Sequence, residues 1–372
     1  MIWKSPKPMG DTMIADPDKI RLEFPHLIHF KGHWYCTFRE AQTHFNHWSA
    51  KSRIIRSADG VTWESVALLG WDSADVGLAR FSITAEGHLM VNAMVFFVSA
   101  EPREDGCHYQ LDKVKHQSRS GWSNWTPNSD EEEDVAAQSA TWLSTDGVNW
   151  GTAFACPSGA NTQRVDVTWH NGMGYSVGYG GKDPGGTLYR TRDGKSWRPL
   201  KKNVFSCTGV GENESDIAFT NDGDACCIAR CGKPRAMIGV GKGPYFQEWT
   251  WHHAKVDWHG DGKPVPASEI FRVDMGGPDF IRLTDGRLLL AARMLGPERP
   301  GGPIRVDPTD PEGREDGSVM LFWVNPQTAV LTPFVEVDGT SYPGIHEHEG
   351  MIWISYLGGD RSGIFWAKAS IS

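Results

Sequence analysis

Ser144-Thr145-Asp146-Gly147-Val148-Asn149-Trp150 is one of three copies of the pattern Ser/Thr-x-Asp-Gly-x-x-Trp. The others are Ser57-Ala58-Asp59-Gly60-Val61-Thr62-Trp63 and Thr191-Arg192-Asp193-Gly194-Lys195-Ser196-Trp197, and each copy follows a short extended run (52–56, 138–143, 187–190). Asp-Gly between extended segments signals a turn, because Gly takes positive φ freely and the Asp carboxylate accepts from the backbone of its own turn. Each copy therefore reads as a hairpin whose Trp opens the outgoing strand and packs against the next sheet. The repeat is a structural device, and none of its residues is a catalytic candidate.

The rest of the composition agrees with many short strands. Among 372 residues there are 42 Gly, 22 Pro and 17 Trp, and no long stretch carries a 3.6-residue apolar period, so the class expected is all-β. A repeat architecture can fill this length as one unit. The net charge of −9 argues against a nucleic-acid or anionic-membrane surface. No apolar stretch approaches the ~20 residues that span a bilayer. Met1-Ile2-Trp3-Lys4-Ser5-Pro6 has no signal-peptide core, which makes the expectation a cytoplasmic protein, or an exported one whose leader has been removed. The seven Cys show no metal-ligand spacing; Cys226, Cys227 and Cys231 lie in or beside an apolar run and read as small buried thiols. Neither a metal nor a cofactor is expected.

Inner hairpin turns fall near Gly32, Gly87, Gly172, Gly223, Gly286 and Gly350, separated by 55, 85, 51, 63 and 64 residues. The long interval contains an insertion at about 99–137, polar and carrying the acidic run Asp130-Glu131-Glu132-Glu133-Asp134, which reads as a surface loop or flap. The heptapeptide resembles the Asp-box (BNR repeat) of sialidases and their relatives, and that resemblance implies a β-propeller. Six units make it six-bladed: a single domain over 1–372, with the N-terminal segment closing the ring against the last blade.

In such a ring the ends of the innermost strands reach the central pocket. Arg39-Glu40 ends the first inner hairpin, Arg164 and Asp166 precede the third, Glu214 precedes the fourth and Arg230 ends it, Asp279 precedes the fifth and Arg293 ends it, and Tyr342 precedes the sixth. Guanidiniums converging from several blades suit bidentate capture of a carboxylate, so an acidic sugar is the ligand expected. His26, His29, His33, His44 and His47 crowd the first blade; His29 and His33 read as strand-surface residues, and His44 is a catalytic candidate.

Here the resemblance to sialidases extends to the site. Asn213-Glu214-Ser215-Asp216-Ile217, with Arg230 sixteen residues on, is similar to the sialidase segment in which a Glu precedes a strand that ends in a carboxylate-binding Arg. Ser341-Tyr342-Pro343-Gly344 resembles the site of the nucleophilic Tyr, and Phe38-Arg39-Glu40 the place of the Arg that closes the first inner hairpin. The likeness implies Tyr342 as nucleophile, Glu214 as its base, and Arg39 and Arg230 on the substrate carboxylate. A phenol with a pKa near 10 is a weak nucleophile alone, which gives the carboxylate its chemical reason. Where sialidases carry an Asp acid/base after the first-hairpin Arg, this chain has His44, and imidazole can do that work near neutral pH. Arg21-Leu22-Glu23-Phe24-Pro25 stands where an Arg-Ile-Pro motif would be, at a different spacing, and the remaining Arg falls to Arg293 or Arg314. Nearly the whole chain resembles a group of bacterial proteins described as exo-α-sialidase-like, through Phe38-Arg39-Glu40 with His44, Arg164 with Thr168-Trp169-His170, Gly276-Gly277-Pro278-Asp279-Phe280, and Ser341-Tyr342-Pro343-Gly344. It departs from that group at Ala79-Arg80-Phe81-Ser82.

The function expected is an exo-acting glycoside hydrolase that removes an acidic sugar from the non-reducing end of a glycan. The alternatives are a lyase acting on a uronic acid through His44 or Tyr342, and a glycan-binding propeller without catalysis.

Overall fold

The six glycines that mark the inner turns all have positive φ, between 71° and 89°. Between those turns the computed structural model describes residues 3–4, 20–41, 50–72, 74–102, 109–111, 137–156, 158, 160–180, 183–205, 212–231, 235–270, 275–295, 317–337, 339, 342–358 and 363–371. Their strands form six small sheets in a ring, a six-bladed β-propeller. The innermost strands are Arg21–Phe30, Ala74–Ile83, Thr168–His170, Glu212–Phe219, Gly276–Arg282 and Gly344–His348. Each is followed by antiparallel neighbours stepping outward, as in blade one through His33–Ala41, Lys51–Ser57 and Glu64–Leu69. Blade six takes its outermost strand from the other end of the chain: Trp3 pairs with Ile364, and the ring is closed by main-chain hydrogen bonds.

Within the insertion at 99–137, the second strand of blade two continues to Pro102, and Tyr109–Leu111 folds back to pair with it. The acidic run at 130–134 lies outside the described residues.

The three heptapeptides join the third and fourth strands of blades one, two and three, and each closes its own turn. In the second, Ser144 Oγ accepts from Gly147 N at 2.8 Å, while Asp146 Oδ1 accepts from Val148 N and Asn149 N at 2.9 and 2.8 Å. Trp150 Nε1 donates to Gly147 O at 3.2 Å. The first and third copies repeat these bonds. The main-chain N–H of Thr62 and then of Val61 hold the Asp59 carboxyl down to about 2. Each turn also locks onto the preceding blade. Gly60 lies against Trp353 and Trp366 of blade six, Gly147 against Tyr35 of blade one, whose hydroxyl donates to Asp146 O at 3.1 Å, and Gly194 against Met90 of blade two. Apolar clusters fill the seams, such as Ile228, Phe280, Leu290 and Phe322 between blades four and five. Between blades two and three, Cys156, Tyr189 and Trp197 form a smaller cluster.

A second regularity positions the site. The inner strands of blades one, two, four and five all break register at the same level: between Glu23 and His26, Gly77 and Arg80, Glu212 and Ser215, and Gly276 and Asp279. At three of these irregularities the chain passes through left-handed φ, at Phe24 (57°), Leu78 (53°) and Gly277 (53°). A bulge re-aims side chains and leaves main-chain groups outside the ladder. Here bulges from four blades ring one end of the axis.

Candidate active site

Tyr342 lies at that ring, two residues before the inner strand of blade six, and is 7% exposed. Its ring is held on every side. Phe24 meets it edge-on at a centroid distance of 4.9 Å, the Arg293 guanidinium lies over it at 5.2 Å, and Gly277 passes so close that a Cβ there would lie 1.7 Å from Tyr342 Cδ1. The hydroxyl donates to Glu214 Oε1. The other carboxylate oxygen, Glu214 Oε2, accepts from Gly277 N at 2.7 Å and faces Arg230 Nη1 at 2.9 Å. Glu214 is thus oriented through one oxygen and offers the other to the phenol. Burial pushes the Tyr342 phenol well above its usual value, the Glu214 charge adds to this, and Arg293 opposes it. The phenol is therefore protonated at working pH, and a phenol in that state is a nucleophile only where a base takes its proton. Arg293 Nε is buried and makes no hydrogen bond among the described residues.

Four residues singled out from the sequence thus meet at one place: Glu214, Tyr342, Arg230 and Arg293. Others stand elsewhere. Arg39 is 1% exposed and lies between two buried carboxylates, with Nη1 donating to Glu23 Oε2 at 2.8 Å, Nε to Asp75 Oδ1 at 2.8 Å and Nη2 to Asp75 Oδ2 at 2.6 Å. This ties blade one to blade two. Arg39→Met is expected to lower stability by about 3–5 kcal/mol, because two buried acids lose that guanidinium; a melting temperature within a degree of wild type would sink this account. Arg21 is about one-third exposed and lies 3.4 Å from Glu23 Oε1. Arg164 is fully buried in the seam of blades two and three, its guanidinium 4.0 Å from the Trp197 ring centre. Asp279 accepts from Ile345 N at 2.6 Å and sits 3.4 Å from His26 Nε2. Asp166 lies 3.2 Å from Arg80 Nε. His44 and Arg314 lie outside the described residues.

Asp166 and Asp279 line a different space, a cavity of about 280 Å³ further along the inner strands toward the hairpin turns, with His26, Arg80, Asp216 and His346. At the seam of blades six and one its wall continues as stacked imidazoles: His29 and His348 lie 3.8 Å apart, both against Trp34. Burial, then His26, His29 and His348, lower His346 to about 3. A histidine whose folded pKa is depressed binds fewer protons folded than unfolded, so it destabilises as pH falls below the unfolded value near 6.5. Asp166, raised to about 7 chiefly by burial, acts with the opposite sign over the window from about 4 to 7. The His346 contribution is therefore read by difference: between pH 7 and 5, melting of His346→Gln is expected to fall less than that of wild type, and parallel curves would refute it.

The residues not found from the sequence are those that act through others: Glu23, Asp75, Arg80 and Gly277. Gly277 stood inside a quoted motif, but a Gly that faces an aromatic ring is indistinguishable in sequence from one in a turn. Arg80 carried a readable signal, an Arg in the middle of the otherwise apolar run Leu78-Ala79-Arg80-Phe81.

No protein-family model matches the sequence, and no curated protein matches it. Solved structures do. The intramolecular trans-sialidase from Ruminococcus gnavus superposes with a TM-score of 0.61 at 13% identity, over 100% of this chain and 97% of that one. A protein of unknown function from Dyadobacter fermentans gives 0.60 at 16% identity, over 92% and 91%. An α-L-arabinofuranosidase from Fusarium graminearum gives 0.57 at 11% identity, over 94% and 93%. At these identities the likeness is one of fold: the chain is a six-bladed propeller of the kind that sialidases and other glycoside hydrolases share.

Proposed function

We propose that this protein is an exo-acting glycosidase of the sialidase type, removing sialic acid or a related acidic sugar from the non-reducing end of a glycan. The observation that carries the reading is the Tyr342–Glu214 hydrogen bond with Arg230 on one side and Arg293 on the other. In this reading Tyr342 attacks the anomeric carbon as its proton moves to Glu214, the glycosidic C–O bond breaks with the leaving oxygen protonated by His44, water then releases the sugar from Tyr342, and the guanidiniums hold the substrate carboxylate. A neutral phenol suits an anionic sugar, since a carboxylate nucleophile would meet the substrate's own charge at close range. His44 is the acid/base of this proposal, and Arg21 and Arg314 are further candidates for anion contact.

The test is a proton NMR time course of the purified protein with a panel of sialosides and uronic-acid glycosides. New free-sugar signals without a vinyl proton are the expected result, read for a sialoside from the C3 methylene protons because its anomeric carbon bears no hydrogen, and the anomer first seen reports retention or inversion. A vinyl proton would replace hydrolysis by lyase chemistry. Ligand line-broadening without any product would leave a binding propeller.

A further inference from the structure

We propose that Arg80 is a positioning residue for Tyr342: its guanidinium fastens the main chain beside Tyr342 to the first inner strand and pairs with Asp166. This rests on the reading of Tyr342 and Glu214 given above.

Arg80 belongs to the inner strand of blade two and is 3% exposed. A guanidinium stays charged in a protein, so burying it requires acceptors. Those it finds are unusual. Nη1 donates to Pro25 O and to Pro343 O, both at 3.2 Å, and Nε faces Asp166 Oδ1 at 3.2 Å. Pro25 sits inside the bulge of blade one, and Pro343 precedes the first ladder pair of blade six at Gly344, so neither carbonyl has a place in a regular ladder. One side chain thus reaches blades one, three and six from blade two. Pro343 is the residue next to Tyr342. Its carbonyl is held by Arg80 while the phenol is held by Phe24, Arg293 and Glu214, which fixes the nucleophile's segment at both ends.

Asp166 is the carboxylate that Arg80 Nε faces, at 3.2 Å. Its carboxyl also feels the charges of Asp279 and Glu214, Asp216 and Tyr179 feel its own, and His26 pairs with Asp279 at 3.4 Å. Burial raises the Asp166 carboxyl to about 7, Arg80 pulls it down, and Asp279 and Glu214 push it up. Removing the Arg80 charge raises it further.

The experiment compares full-length Arg80→Met, Arg80→Lys and Asp166→Asn with wild type. It uses the best substrate from the NMR panel and protein labelled with 3-fluorotyrosine, the Tyr342 resonance being assigned from Tyr342→Phe. Displacing a reacting group by about 1 Å can lower a rate about 10²-fold. Arg80→Met is accordingly expected to lose kcat on that scale with KM within about twofold, and to shift or broaden the Tyr342 fluorine signal. Arg80→Lys, which keeps the charge and can bond one carbonyl, is expected to recover part of both. Asp166→Asn, which removes the charge that Arg80 Nε faces, is expected to move the Tyr342 fluorine signal in the same direction as Arg80→Met and by less. If Arg80→Met does not fold, Arg80→Lys and Asp166→Asn decide alone. An unmoved fluorine signal with wild-type kcat, or a fall in melting temperature with neither changed, overturns the proposal. The fluorine signal is read whether or not any glycoside is turned over, so a wild-type protein inactive on the whole panel would count against the proposed function and leave the Arg80 question decided.

Discussion

Gly277→Ala is expected to cost more than about a hundredfold in turnover while leaving a folded propeller, because the added methyl must occupy space held by the Tyr342 ring. Backbone strain is not the cause. Gly277 has φ of 53°, but Phe24 and Leu78 take almost the same left-handed conformation at the matching bulges of blades one and two, and each carries a full side chain. The difference lies in what the Cβ would meet: at Gly277 it would come within 1.7, 2.3 and 2.6 Å of three Tyr342 ring carbons. The ring cannot yield, with Phe24 on its edge and Arg293 over its face. Either Tyr342 leaves its place or the strand does, and if the strand moves, Gly277 N leaves Glu214 Oε2. Both routes break the phenol–carboxylate pair. Overpacking of this kind costs about 1–3 kcal/mol of stability, so circular dichroism should report a folded protein with a lowered melting temperature. Turnover within about twofold of wild type would show that the ring is not confined as described.

How much of this was legible in the sequence follows from the range over which each feature acts. The Asp-Gly turns are local: Ser144, Asp146 and Trp150 bond to the backbone of their own heptapeptide, so seven residues are enough to reveal them. The six inner turns are local as well, and with them come blade number and strand order. Glu214, Arg230, Arg293 and Tyr342 were legible as residues at strand ends, because the end of an inner strand in a propeller has few other places to go. Arg39 shows the limit of that reasoning. It also stands at a strand end, but its partners, Glu23 and Asp75, come from a bulge in its own blade and from the next blade, and nothing in its local sequence tells a guanidinium aimed at a ligand from one aimed at two carboxylates. Arg164 fails for the same reason, since its position before blade three placed it in a seam against Trp197. The bulges themselves were not visible, because a one-residue slip in pairing leaves no mark on an apolar strand.

Tyr342→Phe and Glu214→Gln should each lower kcat by about 10²–10⁴-fold, the range that general-base removal commonly spans, and the double variant should be little worse than the poorer single one. The near-equality follows from shared function. In the proposed mechanism Glu214 Oε1, which accepts from the Tyr342 hydroxyl, takes the phenol proton, so without Tyr342 the base would have no proton to take, and without Glu214 the nucleophile would stay protonated. Residues that act as a unit lose their effect together, and their single-variant losses do not add. The two variants should separate in binding. Tyr342→Phe leaves the Glu214–Arg230 contact intact and so should hold substrate with nearly unchanged KM. Glu214→Gln removes the charge that Arg230 faces, which frees that guanidinium to hold a substrate carboxylate more strongly, so KM should fall. The phenol is held above its usual pKa by burial and by Glu214, and ionised tyrosine is therefore not the resting nucleophile. A rate that climbed with free phenolate at alkaline pH, or a double variant whose loss equalled the product of the single losses, would separate the two groups and end the account of them as one catalytic pair.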